Sequence, residues 1–458
     1  MLTPRKGIRN LREDVLQHEL LPYHSSFVII GGGLVGSATA WWLKQRLRDE
    51  DLWVVVIEDD DTFSKSASLL SLGGIRVQHS LKENVEMSLF GAEFLRHAGE
   101  HLRVTEDSDP PDINFIPMGY LFLARNEDEA KQIEDGWKVQ TDCGAKVALL
   151  NRDELKLRFP FMKFDDIVLG SLGLENEGII DTWQLLGALR EKNMSIGVTY
   201  VKAKMHGVLF RTDADKRAFG YWNDEEIWKM KFMDGIYIQP QKTDASPRPM
   251  RAMCTVNCAG PWAGKVAEMA YIGKGPDLLK YPIPVVPRKR YVFVVHCPEG
   301  PGLEMPFLND PTGVWCRREE VGNIYLCGKT PTPEEDANID HSNLNVDYDY
   351  FYQKVWPQLA ARIPAFEKLK IKSAWAGYTD YNRYDQNPII GPSLTFPNFS
   401  QLCGFSGRGV QHAMAAGRAL QEMWNDGAYK AINLRKFGMH RMLSGRQLQE
   451  APIYRMAA

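Results

Sequence analysis

At 458 residues, 44% apolar and 25% charged, the chain has the balance of a globular protein and length for two or three domains of ~150 residues. Lys and Arg number 55 against 58 Asp and Glu, a net charge of −3, which excludes a protein whose main task is coating nucleic acid. The seven cysteines are an odd set without a CxxC pair, so buried thiols are expected rather than a disulfide framework or a zinc site.

Residues 1–24 open with Arg5, Lys6, Arg9 and Arg12 and no acid among the first twelve, the pattern of a mitochondrial targeting segment or of a solvated basic arm. Ser26–Ile30 then reads as a buried strand, Leu34–Leu47 as a helix and Trp53–Ile57 as a second buried strand that ends in Glu58. Strand, glycine turn, helix and strand make a βαβ unit with a parallel sheet. No membrane span is expected: the apolar run Phe27–Leu43 is broken by Gly31, Gly32, Gly33 and Gly36 and falls short of ~20 residues. A different texture begins with the strand Gly119–Leu123, followed by a polar helix Glu127–Thr141 and a turn-rich stretch Asn151–Phe161. The spacing predicts a helix over Gly178–Lys192 with Trp183, Leu185, Leu186 and Leu189 on its apolar face. Met253–Cys258 is a short strand, 280–330 alternates as strands (Tyr291–Val295 among them), and Gln401–Cys403 runs through Gly404–Gly409 into a helix Val410–Trp424. The fold class is therefore α/β: a discontinuous Rossmann-type domain (25–115, 178–275 and 371–458) interrupted by a mixed β-rich substrate or interaction domain (116–177 and 276–370).

Gly31-x-Gly33-x-x-Gly36 lies between strand and helix. Gly31 permits the tight turn, Gly33 lets the backbone approach a pyrophosphate, and Gly36 lets helix and strand pack closely, while the N–H groups of Leu34 and Val35 begin an anion-binding helix. Glu58 can accept bonds from adenosine ribose hydroxyls, and its charge disfavours the 2′-phosphate of NADP. A second signal separates FAD from NAD: Gly73, Gly74 and Ile75 suit a loop crossing an isoalloxazine ring, and Ala259, Gly260 and Trp262 suit a second loop against the cofactor. Arg76 meets a substrate carboxylate or is a surface charge. Gly404, Phe405, Ser406, Gly407, Arg408 and Gly409 lead into a helix whose N–H groups, with Arg408, suit the negative charge of a reduced flavin near N1 and C2=O; the bland alternative is a tight turn. Arg288, Lys289 and Arg290 serve the same end or form a solvated strand edge. Tyr378 and Tyr381 are pocket-lining candidates, with Arg76, Tyr378 and Arg408 the candidates for a catalytic role. His79 and His412 lie closest to these loops but take no catalytic assignment, and no metal constellation occurs.

Together these segments resemble the D-amino-acid oxidase-like superfamily of FAD enzymes, which includes sarcosine and dimethylglycine dehydrogenases and glycine oxidase. Pro287–Val292, Val355-Trp356-Pro357, Trp375–Asn382, Asp385-Gln386-Asn387 and Gly404–Gly407 are similar to a branch of it that acts in mitochondrial complex I assembly, over about residues 25–445. The resemblance implies FAD as cofactor, a matrix-side location with peripheral association at the inner membrane, and complex I subunits or assembly intermediates as partners, with a small amine as a substrate candidate.

The departures count as well. Sarcosine oxidases tether the flavin through a Cys just before a Tyr-Thr pair, where this chain has Ala376-Gly377; dimethylglycine dehydrogenases use a His before the glycine pair, and none lies between Ser64 and Gly74. The flavin is therefore expected to be non-covalent. The Lys that clamps a substrate carboxylate in some relatives reads as Gln411, and the Arg of glycine oxidase falls near Thr379, leaving Arg76, Arg318 or Arg408 as substitutes. The leading expectation is a flavoprotein for complex I assembly that keeps an oxidoreductase-type site. The alternatives are a matrix dehydrogenase of an N-methyl or secondary amino acid and a catalytically silent, flavin-stabilised scaffold.

Overall fold

Val28 and Ile30 pack on one face of the first strand, His24–Ile30, and Phe27 and Ile29 on the other, because layers cover both faces. A strand buried on both sides belongs in the middle of a parallel sheet. In the computed structural model, which describes residues 21–46, 52–210, 232–241, 246–319 and 322–455, it lies between Val54–Glu58 and Arg248–Asn257, parallel to both. The basic arm's four cations lie outside the described residues.

Outward from the centre, Val54–Glu58 pairs in parallel with the start of Val198–Phe210. The rest of that long strand turns to pair antiparallel with Met233–Pro240, which returns along the start of Arg248–Asn257. On the other side Phe399–Cys403 adds a parallel strand and Ile389–Pro392 an antiparallel edge. The helices Leu34–Arg46 and Gly409–Asp426 pack together over one face through small residues, Ala40 meeting Ala415 and Ala416 in one apolar cluster.

The second domain is an eight-stranded sheet, antiparallel but for the pair Phe307–Asn309 with Tyr120–Ala124. Its longest pairing joins Val285–His296 to Lys370–Asn382, from Val285 opposite Asn382 to His296 opposite Lys370. Two boundaries expected from the sequence move as a result. The strand Lys370–Asn382 belongs to the second sheet, so a division at 370/371 cuts away an edge strand of the β-rich domain. The chain's end, Pro452–Arg455, packs against the helix Glu127–Asp142 of that domain: Tyr454 is fully buried, and a Cβ on Gly136 would come within 2.5 Å of its ring.

The turn-rich stretch Asn151–Phe161 holds a helix, Arg152–Arg158, started by a reciprocal capping box between Asn151 and Glu154. The expected helix over Gly178–Lys192 runs instead from Thr182 to Ser195 behind an Asp181 cap; Leu185, Leu186 and Leu189 are buried and Trp183 is not. All seven cysteines are free thiols, six of them buried. Among the described residues no helix is long and apolar enough to cross a membrane.

Candidate functional site

Two helices begin at the carboxyl ends of the parallel strands, and both begin bare. Leu34–Arg46 has no acid in its first turn; Gly409–Asp426 has neither an acid there nor a side-chain cap. Elsewhere Asn126, Asn151, Asp181 and Thr332 cap helix starts with their side chains. Uncapped N–H groups leave partial positive charge at a helix start, which suits an anion. Between the two starts lies a cleft of about 920 Å³, lined by Gly31, Gly33, Leu34 and Val35 on one side and Ser406, Gly407, Gly409 and Val410 on the other.

The first turn is tight because strands cross beneath it. Gly31 has φ +104°, and a Cβ there would lie 2.3 Å from the Cys258 carbonyl oxygen. Gly36 is pressed against the carbonyl of Gly31. Gly33 is the opposite case: a Cβ would meet nothing closer than Ser68 Oγ at 3.8 Å, so its α-carbon faces open cleft. At the end of the next strand, Glu58 Oε2 accepts from Gly32 N–H at 2.7 Å and Oε1 from Asp60 N–H at 3.0 Å. Burial raises its pKa against these two donors and the nearby charge of Arg190. Each oxygen keeps a lone pair for one further donor, as a ribose hydroxyl would supply. Arg190 is a residue the sequence reading missed; it is buried over the rings of Phe63 and Tyr200, at 5.1 and 4.7 Å, and nothing in its helical spacing marks it.

At the far end, the Gly404–Gly409 loop hangs from the last strand of the second sheet. Asp380 Oδ2 accepts from Phe405 N–H at 2.8 Å, and Ser406 Oγ accepts from Asn382 N–H at 3.0 Å. Burial pushes the Asp380 carboxyl up to about 6, against the loop N–H groups that lower it. The facing wall carries Leu72, Tyr291, Val292, Trp315, Lys329 and Tyr378, with Tyr378 edge-on to Trp262 at 5.9 Å.

Of the site residues expected from sequence, Gly31, Gly33, Leu34, Val35, Glu58, Gly74, Ala259, Gly260, Trp262, Tyr378, Ser406, Gly407 and Gly409 line this one cleft. Gly36, Gly73, Ile75, Gly404 and Phe405 stand behind it as packing and turn residues. Arg76 is neither at the cleft nor on the surface. It is buried, donates from Nη2 to the Tyr454 carbonyl at 2.9 Å and from Nη1 to that of Gln78, and lies 5.4 Å over Phe122. Burial, then the charge of Arg408, brings its pKa down to about 10. Arg408 is likewise buried behind the lining, donating to Asn387 Oδ1 at 3.1 Å and to the Gln386 carbonyl. At this loop the lining is therefore Ser406, Gly407 and the helix start, with the Arg408 guanidinium behind it. Arg290 lines the cleft but is paired with Asp336 at 2.6 Å, and Lys289 is buried, so this basic run is not a solvated edge. Arg318 is held at Pro301 by a 2.6 Å bond. His79 and His412 share Ser88 Oγ in a buried network, and burial holds both well below the usual imidazole range, so they stay neutral.

The family model described as FAD dependent oxidoreductase matches residues 26–423. The chain belongs to this FAD-dependent oxidoreductase family. It is 44% identical to "FAD-dependent oxidoreductase domain-containing protein 1" of Xenopus laevis over 95% of this chain and 86% of that protein. The Bos taurus protein of the same name is 43% identical over 94% of this chain and 87% of its own length. Among solved structures, L-proline dehydrogenase from P. horikoshii matches with a TM-score of 0.75 at 22% identity, over 93% of this chain and 100% of that one. Glycine oxidase from Geobacillus kaustophilus matches with a TM-score of 0.68 at 18% identity, over 91% and 98%. These two likenesses establish the fold.

FAD is the cofactor of the family, and the cleft fits it. The open space at Gly33 would take the pyrophosphate, with the N–H groups of Leu34 and Val35 as donors, Glu58 would meet the ribose, and the start of the Gly409–Asp426 helix would serve the flavin end. Bound FAD supplies the acceptor for two electrons from a substrate. Among the described lining residues Cys258 is the one thiol, pushed up to about 12 by burial, and no histidine lines the cleft.

Proposed function

We propose that this chain is a mitochondrial matrix-side flavoprotein that serves the assembly of respiratory complex I and keeps an oxidoreductase-type cleft beside its FAD. The first half draws its support from the motifs at 287–292, 355–357, 375–382 and 385–387 that resemble the complex I assembly branch. The second half rests on one observation: the wall of Tyr291, Trp315 and Tyr378 leaves the far end of the cleft open rather than filled with side chains. Tyr348 and Tyr352, one helical turn apart on the outer layer of the second domain and 47% and 52% exposed, offer aromatic surface to a protein partner.

The test is a cell line deprived of this protein, with complex I measured on native gels. Loss of the mature complex and its return on re-expression are expected. Normal complex I without the protein overturns the assembly reading. The open wall also favours a second reading, in which the chain dehydrogenates an N-methyl or secondary amino acid. Anaerobic titration with sarcosine, dimethylglycine and proline decides it: bleaching of the visible flavin band supports turnover, and a flavin untouched by the whole series leaves a silent scaffold.

A further inference from the structure

We propose that Arg455, carried to the cleft by the chain's C-terminal segment, recognises the carboxylate of a small molecule bound beside the flavin. This rests on the reading that the open end of the cleft receives a small organic ligand.

The segment that bears Arg455 is anchored on both domains. Glu450, 1% exposed, accepts from Ser80 N–H at 2.6 Å, Leu81 N–H at 3.1 Å and Asn84 Nδ2 at 2.6 Å. Ala451 N–H donates back to Ser80 Oγ at 2.7 Å, and the Tyr454 carbonyl takes the bond from Arg76. Ile453 and Tyr454 join the apolar cluster that contains Leu72, Val292 and Trp315, three residues of the cleft wall. One residue further on, Arg455 is itself part of the lining. Its Nε donates to the Glu450 carbonyl at 2.5 Å, which fixes the plane of the guanidinium.

That bond leaves Nη1 and Nη2 without a hydrogen bond or ion pair among the described residues. The other cations on this side are committed. Arg290 is paired with Asp336 and Lys329 with both oxygens of Glu335, at 2.5 and 2.7 Å. Arg317 is paired with Glu319 at 2.7 Å, and Arg76 and Arg408 lie behind the lining. Lys65, Lys204 and Lys265 also line the cleft, but on the dinucleotide domain. The Nη1–Nη2 edge of a guanidinium takes a carboxylate in a bidentate pair, and the apolar side chains of Leu72, Val292 and Trp315 suit an apolar body attached to it.

The experiment uses the FAD-loaded full chain and follows the visible flavin spectrum during titration with acetate and benzoate, and with the matching amides. The carboxylates are expected to perturb the spectrum and the amides not. Arg455→Ala should raise the benzoate Kd at least tenfold at unchanged FAD content, and Arg455→Lys should fall between the two. Wild-type affinity in Arg455→Ala, equal binding of benzamide and benzoate, or a loaded wild type that answers to neither carboxylate each overturns the proposal. A chain that binds benzoate through Arg455 but is bleached by no amine keeps this assignment and removes the dehydrogenase reading, so the two failures are distinguishable.

Discussion

The dinucleotide end of the cleft comes chiefly from two short pieces of chain, 30–35 and 57–60, whereas the opposite wall collects Leu72, Tyr291, Trp315, Lys329, Tyr378 and Arg455 from segments spread over most of the chain. At the first end the backbone does the work: a glycine turn, a bare helix start and one carboxylate locked by two N–H groups. At the second, side chains do it, and each depends on packing elsewhere. The two ends should therefore fail in different ways, the first by losing cofactor from an intact fold and the second by losing the position of a wall.

Gly33→Glu breaks the first end with the largest effect. Its Cβ would meet open space, so the fold survives, but the carboxylate fills and repels the pyrophosphate position. Flavin retention should drop to nothing, read as the flavin-to-protein ratio of the purified variant with its circular dichroism unchanged. A variant that stays fully yellow would move the pyrophosphate elsewhere.

Glu450→Ala attacks the second end. It strands the half-buried N–H groups of Ser80 and Leu81 and one N–H of the Asn84 amide, which keeps its bond to Asn387, at about 1–3 kcal/mol for a stranded donor, so a loss of about 3 kcal/mol is expected in denaturant unfolding. Arg455 loses its anchor at the same time, and the benzoate response should weaken while FAD stays bound. An unchanged midpoint would mean that the tail is not held as described.

Glu58→Ala returns to the first end with a smaller effect. FAD should bind about 1–3 kcal/mol more weakly through lost charged hydrogen bonds to the ribose, as measured by flavin fluorescence during dilution. Equal affinity would remove Glu58 from the site.

The same contrast explains what sequence could reveal. Gly31, Gly33, Gly36 and Glu58 do their work with local backbone, so their spacing after a buried apolar strand already carries the geometry. The core strands were legible for the same reason, since burial on both faces leaves a continuous apolar run. Arg76 and Arg408 were misplaced because a charge in a loop near a cofactor motif reads the same whether it faces the ligand or, as here, holds Tyr454 and Asn387 from behind. Arg455 carried no signal: its place follows from Glu450 meeting Ser80 and Asn84, a contact across more than three hundred residues that no periodicity records.

Asp380 is where the two ends are joined, and it offers the finest test. It lies on the second sheet yet carries the loop of the first domain through its bond from Phe405 N–H. Burial raises its pKa from an ordinary 3.8 to about 6, so the folded chain binds this proton more tightly than the unfolded one. The stability from that proton is fully present below the unfolded value and is lost as pH rises through about 6. Asn at this position keeps the oxygen that accepts from Phe405 but cannot titrate. The melting temperature of Asp380→Asn should therefore match wild type below about pH 4, pull ahead as pH rises from there and level off above about 6, by roughly 2–4 °C for the ~3 kcal/mol that such a shift carries. A difference that stays flat between pH 4 and 7 would show that burial does not raise this carboxyl, and that the loop N–H groups meet an ordinary carboxylate.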